Sequence, residues 1–340
     1  MSEPCKMNCI TSIKRFAKIR EVFSLFVVIV LFLIVGLVNP DFLQKRNLMQ
    51  TVNSSVVFGL LSIGIAFVLI IGEIDVSVGA VMGLTAAVSA TLIRDGSPWI
   101  VAVIVAVCIG TLCGLVNGFG LMYLHIPSII ITLGTNGIIR GLIYVYTNGR
   151  WVENLPYAYK ALSQATLGGI TWFYWGTLVV AAAGTFFLKR VPCGRNFAAV
   201  GDNIGGATLI GIPVHFTKMS AFVLSSVFAS VAGLIYVSRI GFVTPIAGNG
   251  YEMKAIAACV LGGISLSGGV GSLIGAMIGA VIMASIDRIL VFLKFSSDYD
   301  GTITGILLIT IVAVDALLQH HSIEKSRRMR LLAKTAQEEQ

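Results

Sequence analysis

Acidic side chains interrupt one of the most apolar stretches of the sequence. Residues 52–93 form a single apolar run that is broken only at 72–75, with Ser77 just beyond the break. Ionisable groups inside a bilayer are costly, so they are candidates for function. Glu73 and Asp75 either cap the positive N-terminal end of the following helix or take part in a proton relay. We expect the capping role.

A cationic side chain lies inside a second apolar run, at 128–147. Arg140 shares this run with the polar residues Thr132 and Asn136. Because an unpaired charge is expensive in lipid, a guanidinium here either binds a polar solute or pairs with a carboxylate elsewhere in the bundle. We expect pairing.

Paired glycines divide a third apolar stretch, at 254–271. Adjacent glycines disfavour a continuous helix, although neighbouring helices can satisfy the freed backbone groups. Broken helices line the pathway of many transporters. The alternative is a re-entrant hairpin with a packing role only, and the sequence leaves both open. The glycines are Gly262, Gly263, Gly268 and Gly269.

Motifs of recognisable enzymes are missing from the sequence. There is no Gly-Lys pair, which excludes a phosphate-binding GxxxxGK[ST] loop and hydrolysis of ATP by this chain alone. The HExxH and GxSxG motifs are also missing. We therefore predict no catalytic residues, no metal site and no cofactor bound by this chain.

The composition indicates that lipid is the solvent for most of the chain. Of the 340 residues, 56% are hydrophobic and only 12% are charged, with a mean hydropathy of +0.90. Soluble chains carry about a quarter charged residues, and large exposed apolar patches drive association. A soluble enzyme, a secreted disulfide-rich domain and a single-span receptor are excluded.

Ten apolar runs are candidates for crossing a bilayer. Both ends of the chain are basic, and if both are cytoplasmic the number of spans must be even. We predict an all-α fold: a polytopic membrane helix bundle of about ten transmembrane helices, some of them broken, with both termini cytoplasmic. The runs lie at about 21–38, 52–71, 74–93, 98–122, 128–147, 172–188, 219–238, 254–270, 271–292 and 302–318.

Basic residues cluster in three places that flank apolar runs, as the positive-inside rule predicts for cytoplasmic segments. This placement argues against a nucleic-acid partner despite the net charge of +8. We predict a basic cytoplasmic tail at 1–20, a membrane domain at 21–318 with a cytoplasmic loop at 189–218, and a second basic tail at 319–340. The clusters comprise Lys6, Lys14, Arg15, Lys18 and Arg20; Lys189, Arg190, Arg195 and Lys218; and Lys325, Arg327, Arg328, Arg330 and Lys334.

Two further patterns predict packing surfaces. Glycines at four-residue spacing allow helices to approach closely, within the bundle or at a seam between chains. They are Gly110, Gly114 and Gly118, and Gly271, Gly275 and Gly279. The loop 189–218 is either a solvated connector or contains a short helix that lies on a partner, and we expect the helix. Its apolar face would comprise Phe197, Ala198, Val200, Ile204, Leu209, Ile210 and Ile212.

Several stretches, taken together and in order, resemble the permease subunits of ribose-type ABC sugar importers. The resemblance spans nearly the whole chain and is closest to the permeases of autoinducer-2 importers, with rhamnose-type permeases also similar. The matching stretches are IDVSVG (74–79), IPSIIITLGTNGIIRGLIY (126–144), GRWVENLP (149–156), GRNFAAVGDN (194–203) and EMKAIAACVLGGISLSGGVG (252–271).

The resemblance implies a multi-pass permease in the bacterial inner membrane that works with other subunits. These are a second and different permease subunit, two cytoplasmic subunits that use ATP and Mg, and a periplasmic solute-binding protein. The family's coupling loop, which docks on the ATPase, maps onto 194–212. Residues that fit its pattern are Gly194, Arg195, Gly201, Asp202, Asn203, Ala207 and Gly211.

The sequence departs from the family inside this loop. Ile204, Gly206 and Thr208 stand where relatives commonly carry an acidic residue, an alanine and an arginine. Each glycine in a helix interior costs about 1 kcal/mol relative to alanine. A shorter, less charged coupling helix is expected, which puts the strength of coupling in question.

Other functions remain as alternatives. The solute is autoinducer-2 or, within the same class, rhamnose or ribose. An ion-coupled secondary transporter would use Glu73, Asp75 and Arg140 in a relay. A membrane scaffold or an intramembrane enzyme is disfavoured because catalytic motifs are missing.

Overall fold

The apolar runs within the described residues form helices over all or part of their length, as predicted. The only sheet among the described residues is a hairpin of two strands with two residues each. The computed structural model describes residues 29–30, 32–37, 39–293, 299, 301–306, 308–310 and 313. The predicted basic tails and the sidedness of both termini lie outside these residues. A 3-10 turn at Pro40–Leu43 precedes helices α1 Lys45–Ile70, α2 Val78–Arg94, α3 Trp99–Met122, α4 Ser128–Thr147, α5 Tyr157–Leu162, hairpin strands β1 Thr166–Leu167 and β2 Ile170–Thr171, α6 Trp172–Arg190, α7 Pro192–Asp202, α8 Ile204–Leu209, α9 Val214–Ile240, α10 Tyr251–Leu261 and α11 Leu273–Phe292.

Five of the described helices are long and apolar enough to cross a membrane: α1, α3, α4, α9 and α11. They have 20 to 27 residues, which at about 1.5 Å per residue matches a hydrocarbon core of about 30 Å. Helix α2 is apolar but has only 17 residues. The prediction of a mostly helical chain with several apolar helices of membrane-spanning length is confirmed, while the count of ten spans stays a prediction.

Helix α1 is the centre of the bundle. In the most apolar 18-residue stretch of α1, 89% of the residues are buried, against 22% in the corresponding stretch of α3 and 28% in that of α4. The Phe67 ring of α1 stacks on Phe228 of α9 and meets Phe197 of α7 edge-on, with centroids 6.3 and 5.5 Å apart. Helices α3 and α4 therefore form the outer face, which is left to lipid or to another chain.

Both glycine stripes are used for packing inside this chain. On α3, a Cβ added to Gly114 would meet the backbone of Phe222 and Val223 in α9. On α11, Gly275 lies against the backbone of Gly262. These stripes are covered by helices of the same chain, so a seam between chains has to use another surface.

One predicted apolar run and one predicted loop differ from the observed structure. The run 254–270 is helical only as far as Leu261, because Gly263, Gly268 and Gly269 adopt positive φ angles of 86°, 83° and 76°. An α-helix cannot continue through left-handed residues. The predicted loop 189–218 is shorter than expected, since α6 extends into its start and α9 begins at Val214.

Candidate functional site

Two interrupted segments meet in the middle of the bundle. After α1 ends, residues 71–77 run without helical structure to the start of α2, and residues 241–250 lead in the same way into α10. A Cβ on Gly248 would collide with the Gly79 carbonyl oxygen, so the two helix starts touch. Tyr251 stacks on Phe58, near the middle of α1, with ring centroids 5.0 Å apart. Both α2 and α10 therefore begin inside the bundle.

Asp75 holds the start of α2 through a buried network. One carboxylate oxygen accepts hydrogen bonds from the Ser77 backbone N–H at 2.9 Å and the Ser77 hydroxyl at 2.6 Å. The other accepts from the Ser225 hydroxyl at 2.9 Å, and the Asn117 amide donates to Ser77 at 2.8 Å. All four residues are fully buried. This geometry favours the capping interpretation, because a helix N-terminus stabilises a nearby negative charge.

The sequence analysis singled out neither Asn117 nor Ser225, although both complete this network. Each is a polar residue inside a long apolar helix, which is the signal that would have found them. Their place beside Asp75 depends on how α3 and α9 cross α2, and this information is not local in the sequence.

Glu73 lies two residues closer to α1 than Asp75 and has a cationic partner. Its carboxylate accepts a hydrogen bond from Lys218 Nζ at 2.5 Å, with the two side chains 16% and 8% exposed. The sequence analysis placed Lys218 in the basic loop 189–218, whereas the structure places it in a helix as a buried side chain. Lys218 is on the second turn of α9, facing the bundle, and the Glu73 carboxylate neutralises it.

Arg140 fixes the second interrupted segment. Its guanidinium donates to the backbone carbonyls of Ala247 at 2.7 Å and Gly248 at 2.8 Å. A carboxylate oxygen of Glu252, on the first turn of α10, lies 3.7 Å away. The guanidinium thus supports the turn that precedes α10 and also faces an acidic side chain, as the pairing interpretation requires.

The other polar residues predicted on α4 have different surroundings. Thr132 is fully buried and donates to the Ser128 carbonyl of its own helix at 2.7 Å. Asn136 has a buried Oδ1 atom with no hydrogen-bond partner among the described residues. Ser128 accepts from the Ile74 backbone N–H at 3.3 Å, so the start of α4 also contacts the segment 71–77.

The predicted helix-break glycines lie where α10 has ended. Gly262 packs on α11, and Gly263 forms the turn that follows α10. The Gly269 backbone N–H donates to the carbonyl of Ile70 at 2.9 Å, and Gly268 lies against Gly201 of α7. The segment 262–272 thus joins α10 to the end of α1 and to α7.

The predicted coupling residues fall on α7, on α8 and in the turn after them. Gly194 is buried against the Phe187 carbonyl, while Arg195, Asp202 and Asn203 are exposed. The Asn203 side chain caps α8 by accepting from the Gly206 N–H at 2.9 Å. Ala207 is buried, and Gly211 has a positive φ of 79°.

The apolar face predicted for this loop is divided between two surroundings. Phe197 and Val200 are buried against their own bundle, so assigning them to a partner surface is wrong. The Phe197 ring packs on Phe67 of α1 and Phe187 of α6. Leu209 and Ile210 are 88% and 75% exposed and form an apolar tip at the end of α8.

No group of three or more His, Cys, Asp or Glu side chains that could hold a metal ion occurs among the described residues. The polar chemistry of this part of the chain serves instead to fix two broken segments inside a bundle of apolar helices. Discontinuous helices that meet inside a bundle are characteristic of membrane transport proteins. The fold and site therefore define a multi-pass membrane permease.

The chain belongs to the family described as branched-chain amino acid transport system / permease component, whose model matches residues 47–312. It is 38% identical over 317 residues to the autoinducer 2 import system permease protein LsrC of Enterobacter sp. (strain 638), covering 93% of this chain and 92% of that protein. It is also 38% identical over 300 residues to LsrC of Salmonella typhi, covering 88% and 86% of the two chains. No solved structure matched the chain. The resemblance indicated by the sequence motifs is confirmed.

Proposed function

We propose that this chain is the membrane-spanning permease subunit of an ABC importer that carries autoinducer-2 across the bacterial inner membrane. The observation that carries the proposal is the similarity to autoinducer-2 import permeases over nearly the full length of both chains. Rhamnose and ribose are the competing solutes of the same class. ATP and Mg are used by partner subunits, and this chain binds no cofactor of its own.

The transporter contains four further subunits in this proposal. They are a second permease of different sequence, two ATP-binding subunits and a periplasmic solute-binding protein, with lipid around the permeases and no nucleic acid. The apolar tip of α8, Leu209 and Ile210, supports docking on an ATP-binding subunit, because exposed apolar groups of this size mark interaction sites.

Transport proceeds by alternating access in this proposal. ATP binding favours one of two conformations only through its different affinity for them. Segments 71–77 and 241–250 support such a change, since non-helical backbone in the bundle allows α2 and α10 to tilt relative to α1.

The proposal is tested by reconstitution of the complete transporter in liposomes with the solute-binding protein present. We expect ATP-dependent uptake of autoinducer-2 in preference to rhamnose and ribose. Uptake of rhamnose or ribose in preference would contradict the solute assignment. Uptake by this chain without the ATP-binding subunits would contradict the assignment to ABC importers.

Replacement of Asp75 distinguishes this mechanism from ion coupling. Asp75→Asn keeps an oxygen for the Ser77 N–H and loses one charged acceptor, so ATP-driven uptake should stay within about fivefold of the native rate, given about 1 kcal/mol per hydrogen bond. Asp75→Leu, which removes all three hydrogen bonds of the carboxylate, serves as the disruptive comparison. If uptake is driven by a pH gradient and Asp75→Asn abolishes it, the relay hypothesis is correct instead.

The docking role of the α8 tip gives a second test. The double variant Leu209→Ser, Ile210→Ser should leave the permease folded, because both side chains are largely exposed. Loss of two apolar anchors should weaken binding of the ATP-binding subunits by about 2–4 kcal/mol, measured by co-purification and titration in detergent. Phe216→Ser, an equally exposed apolar position on α9, is the matched control. Unchanged binding by the double variant would contradict this assignment.

A further inference from the structure

Three parts of the backbone meet at the end of α1. The Ile70 carbonyl accepts the N–H of Gly269 at 2.9 Å. A Cβ added to Gly201, near the end of α7, would collide with this same carbonyl and would stand 2.6 Å from the Gly269 nitrogen. A Cβ on Gly268 would likewise come within 2.9 Å of the Gly201 carbonyl oxygen and the Gly72 nitrogen. The end of α7 is therefore in direct backbone contact with the last residue of α1, just before the stretch 71–77, and with Gly268 and Gly269 inside the stretch 262–272.

The Glu73–Lys218 ion pair makes a second connection at the same end of the bundle. Lys218 is on the second turn of α9, shortly after the apolar tip of α8, and Glu73 is two residues from Asp75. Apolar residues of similar volume often replace a buried ion pair without loss of stability. What a charged pair adds is a fixed relative position of the two elements that carry it.

These contacts connect α7, α8 and the start of α9 to the segment 71–77. A displacement of α7 and α8 acts on Ile70 and Gly269 through glycine backbone, which has no side chain that could bend to absorb it. The same displacement moves the start of α9 and, through Lys218, pulls on Glu73. Both contacts lead to the segment that holds Asp75 and the start of α2. Packed elements of this kind shift between discrete arrangements rather than deform continuously.

We infer that the Gly201 contact and the Glu73–Lys218 pair together form the joint that transmits movement from the 192–212 segment to the interrupted helices in the middle of the membrane. Glu73 and Lys218 are positioning residues in this joint. The inference rests on the proposed function, since it requires partner subunits that hydrolyse ATP.

The test measures ATP hydrolysis and autoinducer-2 uptake on the same reconstituted complete transporter. Lys218→Met and Glu73→Gln should each lower the uptake per ATP hydrolysed by about tenfold, within the range that coupling mutations produce. Gly201→Ala should have the same effect. The charge-exchanged double variant Glu73→Lys, Lys218→Glu should recover at least about a third of the native ratio, because it restores the pair.

A structural role alone predicts a different outcome. Subunits that merely fold poorly would lose uptake and hydrolysis in the same proportion, and the charge-exchanged variant would be as poor as the single variants. Either result overturns the inference. Gly118→Ala is the matched control: it adds a buried methyl group beside the flexible side chain of Met219, next to Lys218 on α9, and should leave the ratio unchanged.

A second arm needs no solute. Asp75→Ala removes the hydrogen bonds that the Asp75 carboxylate accepts from Ser77 and Ser225. It should change the rate of ATP hydrolysis by the assembled transporter by about threefold. This change should disappear when Lys218→Met is also present. If Asp75→Ala changes the hydrolysis rate equally in the native and in the Lys218→Met transporter, the inference is wrong. If the wild-type transporter hydrolyses ATP but does not accumulate autoinducer-2, the proposed solute is wrong, and this arm still decides the inference.

Discussion

Arg140→Met is expected to lower transport by more than about tenfold and to destabilise the folded permease. The guanidinium donates to the Ala247 and Gly248 carbonyls and forms an ion pair with Glu252. Removing one partner of a buried ion pair costs about 3–5 kcal/mol, because the other is left uncompensated. The turn before α10 would lose its support, and the start of α10 would no longer be held against Gly79.

Two further variants separate the effect of fork geometry from that of losing an exposed charge. Arg140→Lys keeps the charge but not the two parallel N–H groups, so we expect an intermediate loss. Arg94→Met removes a half-exposed guanidinium that pairs with Asp95, and it should have little effect, since exposed pairs contribute about 0–1 kcal/mol. Uptake and thermal stability in detergent are the measurements. Near-native uptake by Arg140→Met would show that the turn holds without its side-chain support.

Gly114→Leu is expected to disrupt the bundle where α3 crosses α9. The added side chain would meet the backbone of Phe222 and Val223, which cannot rotate away as a side chain can. Overpacking of this kind costs about 1–3 kcal/mol and more where backbone has to move. We expect a lower thermal midpoint and a smaller yield of monodisperse protein, measured by size-exclusion chromatography after heating.

Gly137→Leu is the matched control on the outer face of α4. Nothing lies within 4 Å of a Cβ at this position, so the isolated chain should remain as stable as the native one or slightly more so, since leucine favours helix. If a second permease covers this face, the same variant should impair assembly and uptake while the isolated chain stays folded. Equal destabilisation by Gly114→Leu and Gly137→Leu would contradict the finding that Gly114 packs on α9 while Gly137 faces outward.

The positions where helices break could be predicted from local sequence. Glu73 and Asp75 interrupt an apolar run, and the pairs Gly262-Gly263 and Gly268-Gly269 divide another. Charge and glycine act on the conformation of their own stretch of backbone, so their effect is visible from neighbouring residues. The capping role expected for Asp75 follows from the same local reasoning, because Ser77 is only two residues away.

The partners of these residues could not be predicted in the same way. Lys218 lies 145 residues from Glu73, and Ala247 lies 107 residues from Arg140. In the sequence Lys218 looks like one more cytoplasmic cation next to an apolar run. Only the direction in which it leaves α9 makes it a buried partner, and that direction depends on which face of α9 packs on α1.

The sequence by itself determined that most of this protein is surrounded by lipid, that it is built of helices and where those helices are interrupted. Its ordered motifs also identified the permease family. These properties follow from composition and from short-range backbone preferences, which each segment carries wherever it packs. The tertiary structure alone decided which charges neutralise each other, that both glycine stripes are internal, and that α7 touches the end of α1 and the segment 262–272. Contacts between distant segments are set by how helices cross, and the crossing is fixed by the packing of the whole bundle.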